Sequence, residues 1–341
     1  MSRVALYFVA SPLQYLAARR IAESHEAGAR QVLVWYKRGV TPVVQEGEWD
    51  VASYMAWPRW EPLPGAFGRH RRLRANIRQV AALVGPCDEL AIHSAVFDTE
   101  AINYFLRALP RACGARTMQA RILPDGIISV RRYPLNASKR LAQFARKLRR
   151  LAAPELDYWC FAGDRIGSDA PFCDRIYVLP GLPHEYPDDK VVRLPALVDA
   201  GARKGDADTP RRALIIGQPL FGTGLLSAAD RDAVGREMRD WLARHDITAV
   251  DYKGHPKDPA RELCGPDDQI LELDEPLEVW MSHTPYAAVL GVRSSALLFA
   301  RQLYGPATPV LAFGWDRVRF KSASERRDME RTFRACGVEL E

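Results

Sequence analysis

The chain has 341 residues, 48% hydrophobic and 26% charged, with a net charge of +6. That length suits two α/β domains in sequence, and the proportions exclude a disordered or fibrous chain. The six cysteines (Cys87, Cys113, Cys160, Cys173, Cys264 and Cys336) are scattered without a C-x-x-C pair, which excludes a zinc ribbon and a secreted disulfide scaffold. The positive surplus is local, in Arg69–Arg74 and Arg146–Arg150. Such runs form either solvated helix faces or ground for nucleic acid, acidic lipid headgroups or an anionic substrate.

No apolar run approaches the length of a membrane span. Val4–Ala10 is apolar but short. Ser11-Pro12 interrupts it, and Arg19-Arg20 stands where a signal-peptide cleavage region is small and uncharged, so the segment predicts a first buried strand and a cytoplasmic protein. Leu13, Leu16, Ala17 and Ile21 then fall at helical spacing, with Ser11 placed as N-cap and Pro12 as first helical residue. The pattern continues with a strand at Gln31–Tyr36, a helix over Arg71–Leu83, a strand at Glu89–His93 and a helix over Thr99–Leu109. A strand at Arg116–Leu123 ends at Pro124-Asp125-Gly126, a basic helix covers Ala137–Leu151, and two apolar runs follow at Tyr158–Ala162 and Arg175–Leu179.

Between about Pro183 and Arg212 prolines and charges mark a linker. The alternation then restarts with strands at Arg212–Ile216, Ile247–Lys253, Tyr286–Leu290 and Pro309–Phe313. Helices are predicted over Ala228–His245, Ser294–Leu303 and Ser324–Ala335. The expected fold class is therefore α/β and GT-B-like. Two Rossmann-type doubly wound domains (1–185 and 211–341, joined by a linker at 186–210) face a central cleft, with ligands beyond the carboxyl ends of the strands.

Residues suited to chemistry stand at those ends. Lys253-Gly254-His255-Pro256 presents an imidazole and an ammonium at a strand tip, able to meet a departing phosphate, although the same residues also make a plain solvated turn. Arg293-Ser294-Ser295 opens a helix, where hydroxyls and free N–H groups form an anion site or simply a cap. Glu278 is placed either to hold ribose hydroxyls or to offset a helix dipole. Asp125 is either the base for an acceptor hydroxyl or part of an ordinary Pro-Asp-Gly turn. Ser11, Gln14, His93 and Ser94 are weaker candidates for substrate contacts. Neither G-x-x-x-x-G-K-[ST] nor G-x-G-x-x-G is present, and no H-E-x-x-H or D-x-D-x-D-G run suggests a metal.

Together these residues resemble the bacterial sialyltransferase and polysialyltransferase families that build lipooligosaccharide and capsule. Ser11-Pro12-Leu13-Gln14 resembles their N-terminal signature, and Gly217-Gln218-Pro219 the opening of their second domain. Lys253-Gly254-His255-Pro256 is similar to their His-Pro motif, and Ser294-Ser295 to their paired serines. The resemblance implies a metal-independent, inverting transfer of a sialic or related nonulosonic acid from its CMP ester to a glycan or glycolipid acceptor, with no cofactor. In its terms His255 assists departure of CMP, Ser294 and Ser295 hold its phosphate, Lys253 supports the leaving group and Glu278 holds the ribose. The families carry two acidic residues before the glycine where this chain has Pro124-Asp125; Asp125 or His93 is then left to act as base. Another GT-B transferase, or an epimerase using a UDP-sugar, is the competing enzyme reading. An RNA-binding protein is the competing non-enzyme reading, but no aromatic-interleaved stretch of the kind RNA-binding sheets carry is present, so no nucleic-acid partner is expected. The basic helices would hold an anionic glycan or make peripheral contact with the inner membrane.

Overall fold

In a computed structural model the chain is described over residues 2–125, 132, 134–179, 182–195, 197, 211–304 and 307–341. Gly126 and nearly all of the second half of the expected linker lie outside these residues. The chain folds as two compact units, Met1–Leu179 with His184–Leu197, and Pro180–Pro183 with Val198–Glu341.

The first unit runs β1 (Arg3–Val9), α1 (Pro12–His25), β2 (Arg30–Trp35), β3 (Val51–Tyr54), α2 (Gly68–Val84), β4 (Glu89–Ser94), α3 (Glu100–Asn103), α4 (Phe105–Cys113), β5 (Thr117–Ile122), α5 (Ala137–Lys147), β6 (Cys173–Val178) and β7 (Val191–Arg193). Its seven strands form one parallel sheet in the order β3-β2-β1-β4-β5-β6-β7. One face is apolar. Val4, Leu6 and Phe8 of β1 pack with Val32, Val34, Leu90, Ile92 and Ile122 of neighbouring strands and with Leu73, Ile77, Val80, Leu106 and Leu109 of α2 and α4. The alternation of strand side chains sends Tyr7, His93, Arg121 and Arg175 to the other face, in register across four strands. There Glu26, just beyond α1 and fully buried, takes ion pairs from Arg3 and Arg121.

Several elements differ from the sequence expectation. The helix predicted over Thr99–Leu109 divides at Tyr104, and the basic helix ends at Lys147 with a tighter turn over Leu148–Leu151. Tyr158–Ala162 is irregular rather than a strand because side chains take its backbone groups. Asn103 accepts from the Trp159 N–H and donates to the Trp159 carbonyl, and Gln143 accepts from the Phe161 N–H. Val191–Arg193, inside the expected linker, is an edge strand paired with β6.

The second unit runs β8 (Arg212–Ile216), α6 (Ala228–Arg244), β9 (Ala249–Lys253), β10 (Gln269–Ile270), α7 (Leu277–His283), β11 (Ala288–Gly291), α8 (Ser295–Leu303), β12 (Val310–Ala312), α9 (Ala323–Ala335) and β13 (Glu339–Leu340). Six parallel strands take the order β10-β9-β8-β11-β12-β13. A separate core of Ala213, Ile215, Val234, Met238, Tyr252, Leu290 and Leu311 fills it. Ser227, Ser294 and Ser322 cap α6, α8 and α9 through their hydroxyls, each satisfying an orphan N–H of the first turn.

Candidate active site

In the second sheet β8 lies between β9 and β11, so the loops that leave these three strands emerge side by side at their carboxyl ends. They are Gly217-Gln218-Pro219 after β8, Gly254-His255-Pro256 after β9, and Val292-Arg293-Ser294 after β11. Two strand spacings separate the outer pair, about 10 Å, a span suited to a nucleoside monophosphate.

Hydrogen bonds tie the loops together. The Gly217 N–H donates to the Lys253 carbonyl at 2.9 Å, and the Gln218 side-chain oxygen accepts from the Arg293 N–H at 2.9 Å. Gln218 thereby fixes the segment that delivers the serine pair. A Cβ on Gly217 would stand 2.2 Å from the Tyr252 hydroxyl, so only glycine lets β8 and β9 leave the sheet this closely. At Gly254, by contrast, a Cβ would meet nothing nearer than 3.5 Å. The close approach belongs to Gly217.

His255 is exposed, and its Nδ1 accepts from the Lys257 N–H at 3.0 Å. A ring nitrogen that accepts carries no proton, so the proton is on Nε2. The Lys253 ammonium donates to the Leu271 carbonyl at 3.3 Å and keeps two further protons. Ser294 accepts from the Ala296 N–H at 3.3 Å as N-cap, which leaves its hydroxyl hydrogen free to donate. Ser295 is the exposed first residue of α8, beside the positive end of that helix. Arg293, whose importance the sequence did not signal, packs over Phe320 at 5.1 Å and pairs with Glu325 at 3.6 Å. It anchors the serine loop to the segment around α9.

Glu278 lies in the first turn of α7. It is half-buried, and that burial pushes its carboxyl above the usual range. Among the described residues no hydrogen bond joins it to the histidine or serine loops.

The first unit places Asp125 just past β5, also at the carboxyl edge of its sheet. Burial raises its carboxyl, partly opposed by a hydrogen bond from Gln14 and by the Lys37 charge. Gln14 is itself fixed, because its oxygen accepts from the Ala10 N–H at 2.7 Å and its own N–H donates to the Ser11 cap at 3.2 Å. The Ser11-Pro12-Leu13-Gln14 run therefore positions a carboxylate. Tyr36 stands close enough for the Asp125 charge to help raise its phenol. His93 and Ser94, expected just after a strand, instead lie within β4 and are buried. The His93 ring stacks on Tyr7 at 4.4 Å, and burial drives its pKa down to about 3. The Glu26 carboxylate 3.6 Å away would favour the charged ring, but Arg3 and Arg121 already neutralise it. His93 is thus a core residue and not a base for substrate.

Among the described residues no group of three or more His, Cys, Asp or Glu side chains is placed to hold a metal ion, and no helix is long and apolar enough to cross a membrane.

Comparison with known proteins bears on the second unit first. A family model described as alpha-2,8-polysialyltransferase matches residues 193–311, about a third of the chain, and that span contains Gln218, Lys253, Gly254, His255, Pro256, Glu278, Ser294 and Ser295. No curated protein matches the chain. Among solved structures, the spinosyn rhamnosyltransferase SpnG complexed with spinosyn aglycone is similar at 14% identity and a TM-score of 0.50, covering 99% of this chain and 86% of its own. The UDP-GlcNAc 2-epimerase from Neisseria meningitidis bound to UDP-GlcNAc is similar at 12% identity and a TM-score of 0.49, covering 99% and 94%. Likeness at such identity speaks to fold, and the fold is of the GT-B kind, with two Rossmann-like parallel-sheet units. Residues 193–311 of the chain thus match the alpha-2,8-polysialyltransferase family, on a fold of the GT-B kind.

Proposed function

We propose that this chain is a glycosyltransferase that moves a sialic acid, or a related nonulosonic acid, from its CMP ester to a bacterial surface glycan, with inversion and without a metal or cofactor. The observation that carries the reading is the Gln218–Arg293 bond, which holds a serine-capped helix N-terminus two strand spacings from the loop that bears the His255 Nε2–H. The acceptor hydroxyl oxygen attacks the anomeric carbon from the face opposite CMP, and the bond to the phosphate oxygen breaks. CMP leaves as a phosphate dianion. His255 donates a hydrogen bond to it from Nε2, Ser294 and Ser295 donate from their hydroxyls, and the N–H groups of α8 add their dipole. Lys253 supplies the nearby positive charge, and Glu278 holds the ribose. A monophosphate carries fewer charges than a nucleoside diphosphate, so these groups suffice without a cation. Asp125 takes the proton of the acceptor hydroxyl, its raised carboxyl being the better base for it.

The direct test offers the full chain CMP-sialic acid and UDP-sugars separately and follows nucleotide release. CMP release is expected, with no turnover of UDP-sugars. His255→Ala is expected to lower it by a factor of about 10²–10⁴ while leaving the far-UV circular dichroism intact, because the side chain is exposed. Turnover of a UDP-sugar with CMP-sialic acid untouched would end the reading, and full activity in His255→Ala would remove the histidine from it.

A further inference from the structure

Between Asp125 and Glu155 the sequence has no acidic residue and eight basic ones. Most of that stretch is α5 and the turn that follows it, and the helix is mounted in an unusual sense. Polar and cationic side chains hold it to the protein. Gln143, its buried residue, accepts from the Phe161 N–H at 2.9 Å, and Arg140 donates to the Ala162 carbonyl at 2.8 Å. Arg146 lies over the Tyr158 ring at 5.5 Å, and Arg149 pairs with Glu100. The apolar side chains face water instead. Leu141 is 71% exposed, Phe144 57%, Leu148 49% and Leu151 80%. Their spacing of three, four and three residues puts them in one stripe. Arg140 and Lys147, one position before Leu141 and Leu148, border that stripe. Lys139 and Lys147 make no ion pair among the described residues. Phe67, 77% exposed at the start of α2, extends the ground, since Arg69 of that turn shares the Glu100 carboxylate with Arg149.

We propose that the stripe of Leu141, Phe144, Leu148 and Leu151, flanked by the basic side chains of α5, seats the protein on a membrane surface of anionic lipid. A helix with a hydrophobic stripe and a Lys/Arg border lies in the headgroup plane, its apolar face at the acyl boundary and its cations among the phosphates. The absence of any carboxylate on the segment disfavours a second copy on the same face, where the lysines bordering one stripe would meet those of the other. A free anionic glycan would satisfy the cations but offers nothing to four large apolar side chains. The surface is an exposed helix face rather than a groove, which suits a sheet of lipid. The inference does not depend on the donor, and its test needs no substrate.

The full chain is sedimented with vesicles of phosphatidylcholine, with and without phosphatidylglycerol, at rising salt. Binding is expected to the anionic vesicles, about tenfold or more above the neutral ones, weakening with salt. Leu141→Ser/Phe144→Ser/Leu148→Ser is expected to lower that binding about tenfold, with thermal melting unchanged. Lys139→Ser/Lys147→Ser should lower it and flatten its salt dependence. Absence of binding to phosphatidylglycerol vesicles, or equal binding by the apolar triple variant, would overturn the proposal. So would a dimer in solution that the triple variant dissolves without any vesicle binding, which would assign the stripe to self-association.

Discussion

At the scale of single residues, the chemistry proposed for this chain sets stability against function at Asp125. Burial raises that carboxyl in the folded state above its ordinary value of about 3.9, so the ionised form is less favourable folded than unfolded. The sign follows directly. Stability is greatest below the ordinary carboxylate range and declines as pH rises through the raised value, and above it the penalty is complete. Asp125→Asn removes the penalty and keeps an oxygen to accept from Gln14. At neutral pH its melting temperature should equal or exceed that of the parent. Transfer to acceptor should meanwhile fall by a factor of about 10²–10⁴, with CMP affinity retained. In the parent, transfer should rise with pH through the same raised carboxyl. A parallel loss of transfer and CMP affinity in Asp125→Asn would make the aspartate structural.

Elements decide whether the phosphate groups converge, and here Gln218 is the joint. It is the residue through which the β8 loop grips the backbone that leaves β11, accepting from the Arg293 N–H. Gln218→Ala leaves that N–H without its partner and frees the serine loop, a loss of roughly 1 kcal/mol. That corresponds to CMP binding about five- to tenfold weaker, readable by calorimetry, with transfer on saturating donor changed much less. Unaltered CMP binding would show that the serine loop holds its shape without the glutamine. Much of this arrangement was legible before any coordinates. Strand-loop-helix punctuation located Ser11 as a cap, the serine pair at the start of α8, and the histidine loop after β9, because caps and turns are local chemistry. What was not legible was non-local. Nothing near Gly217 in sequence announces that Tyr252 will lie against it, and nothing near Arg293 announces Phe320. Tyr158–Ala162 has the composition of a strand, yet Asn103 and Gln143, distant in sequence, claim its backbone. His93 fits a strand-tip catalyst by position, and only the register of four strands reveals it as core. The helix over Ala137–Leu151 reads in sequence only as basic, and the structure adds that Leu141, Phe144, Leu148 and Leu151 are exposed on it.

For the molecule as a whole, the two units have separate apolar cores. The second is held by apolar packing around β8, β9 and β11. The first carries, on one face of its sheet, a buried ionic knot in which Glu26 receives Arg121 and Arg3, and Arg121 also reaches Asp174 at 3.0 Å. A buried pair of this sort contributes little net stability, because desolvating the charges offsets their attraction, but removing one partner strands the other. Arg121→Met should therefore destabilise the protein by about 3 kcal/mol, toward the low end for such losses because Arg3 still faces Glu26. The double variant Glu26→Gln/Arg121→Met should recover much of that loss, since the charges that then lose a partner, Arg3 and Asp174, both reach solvent. Denaturant unfolding of the two variants measures both quantities. The phosphate site, built on the other sheet, should bind CMP in folded Arg121→Met as in the parent. A variant that melts normally would mean that Arg3 and Arg175 alone suffice for Glu26. Loss of CMP binding while the protein remains folded would mean that the ionic knot reaches beyond its own unit.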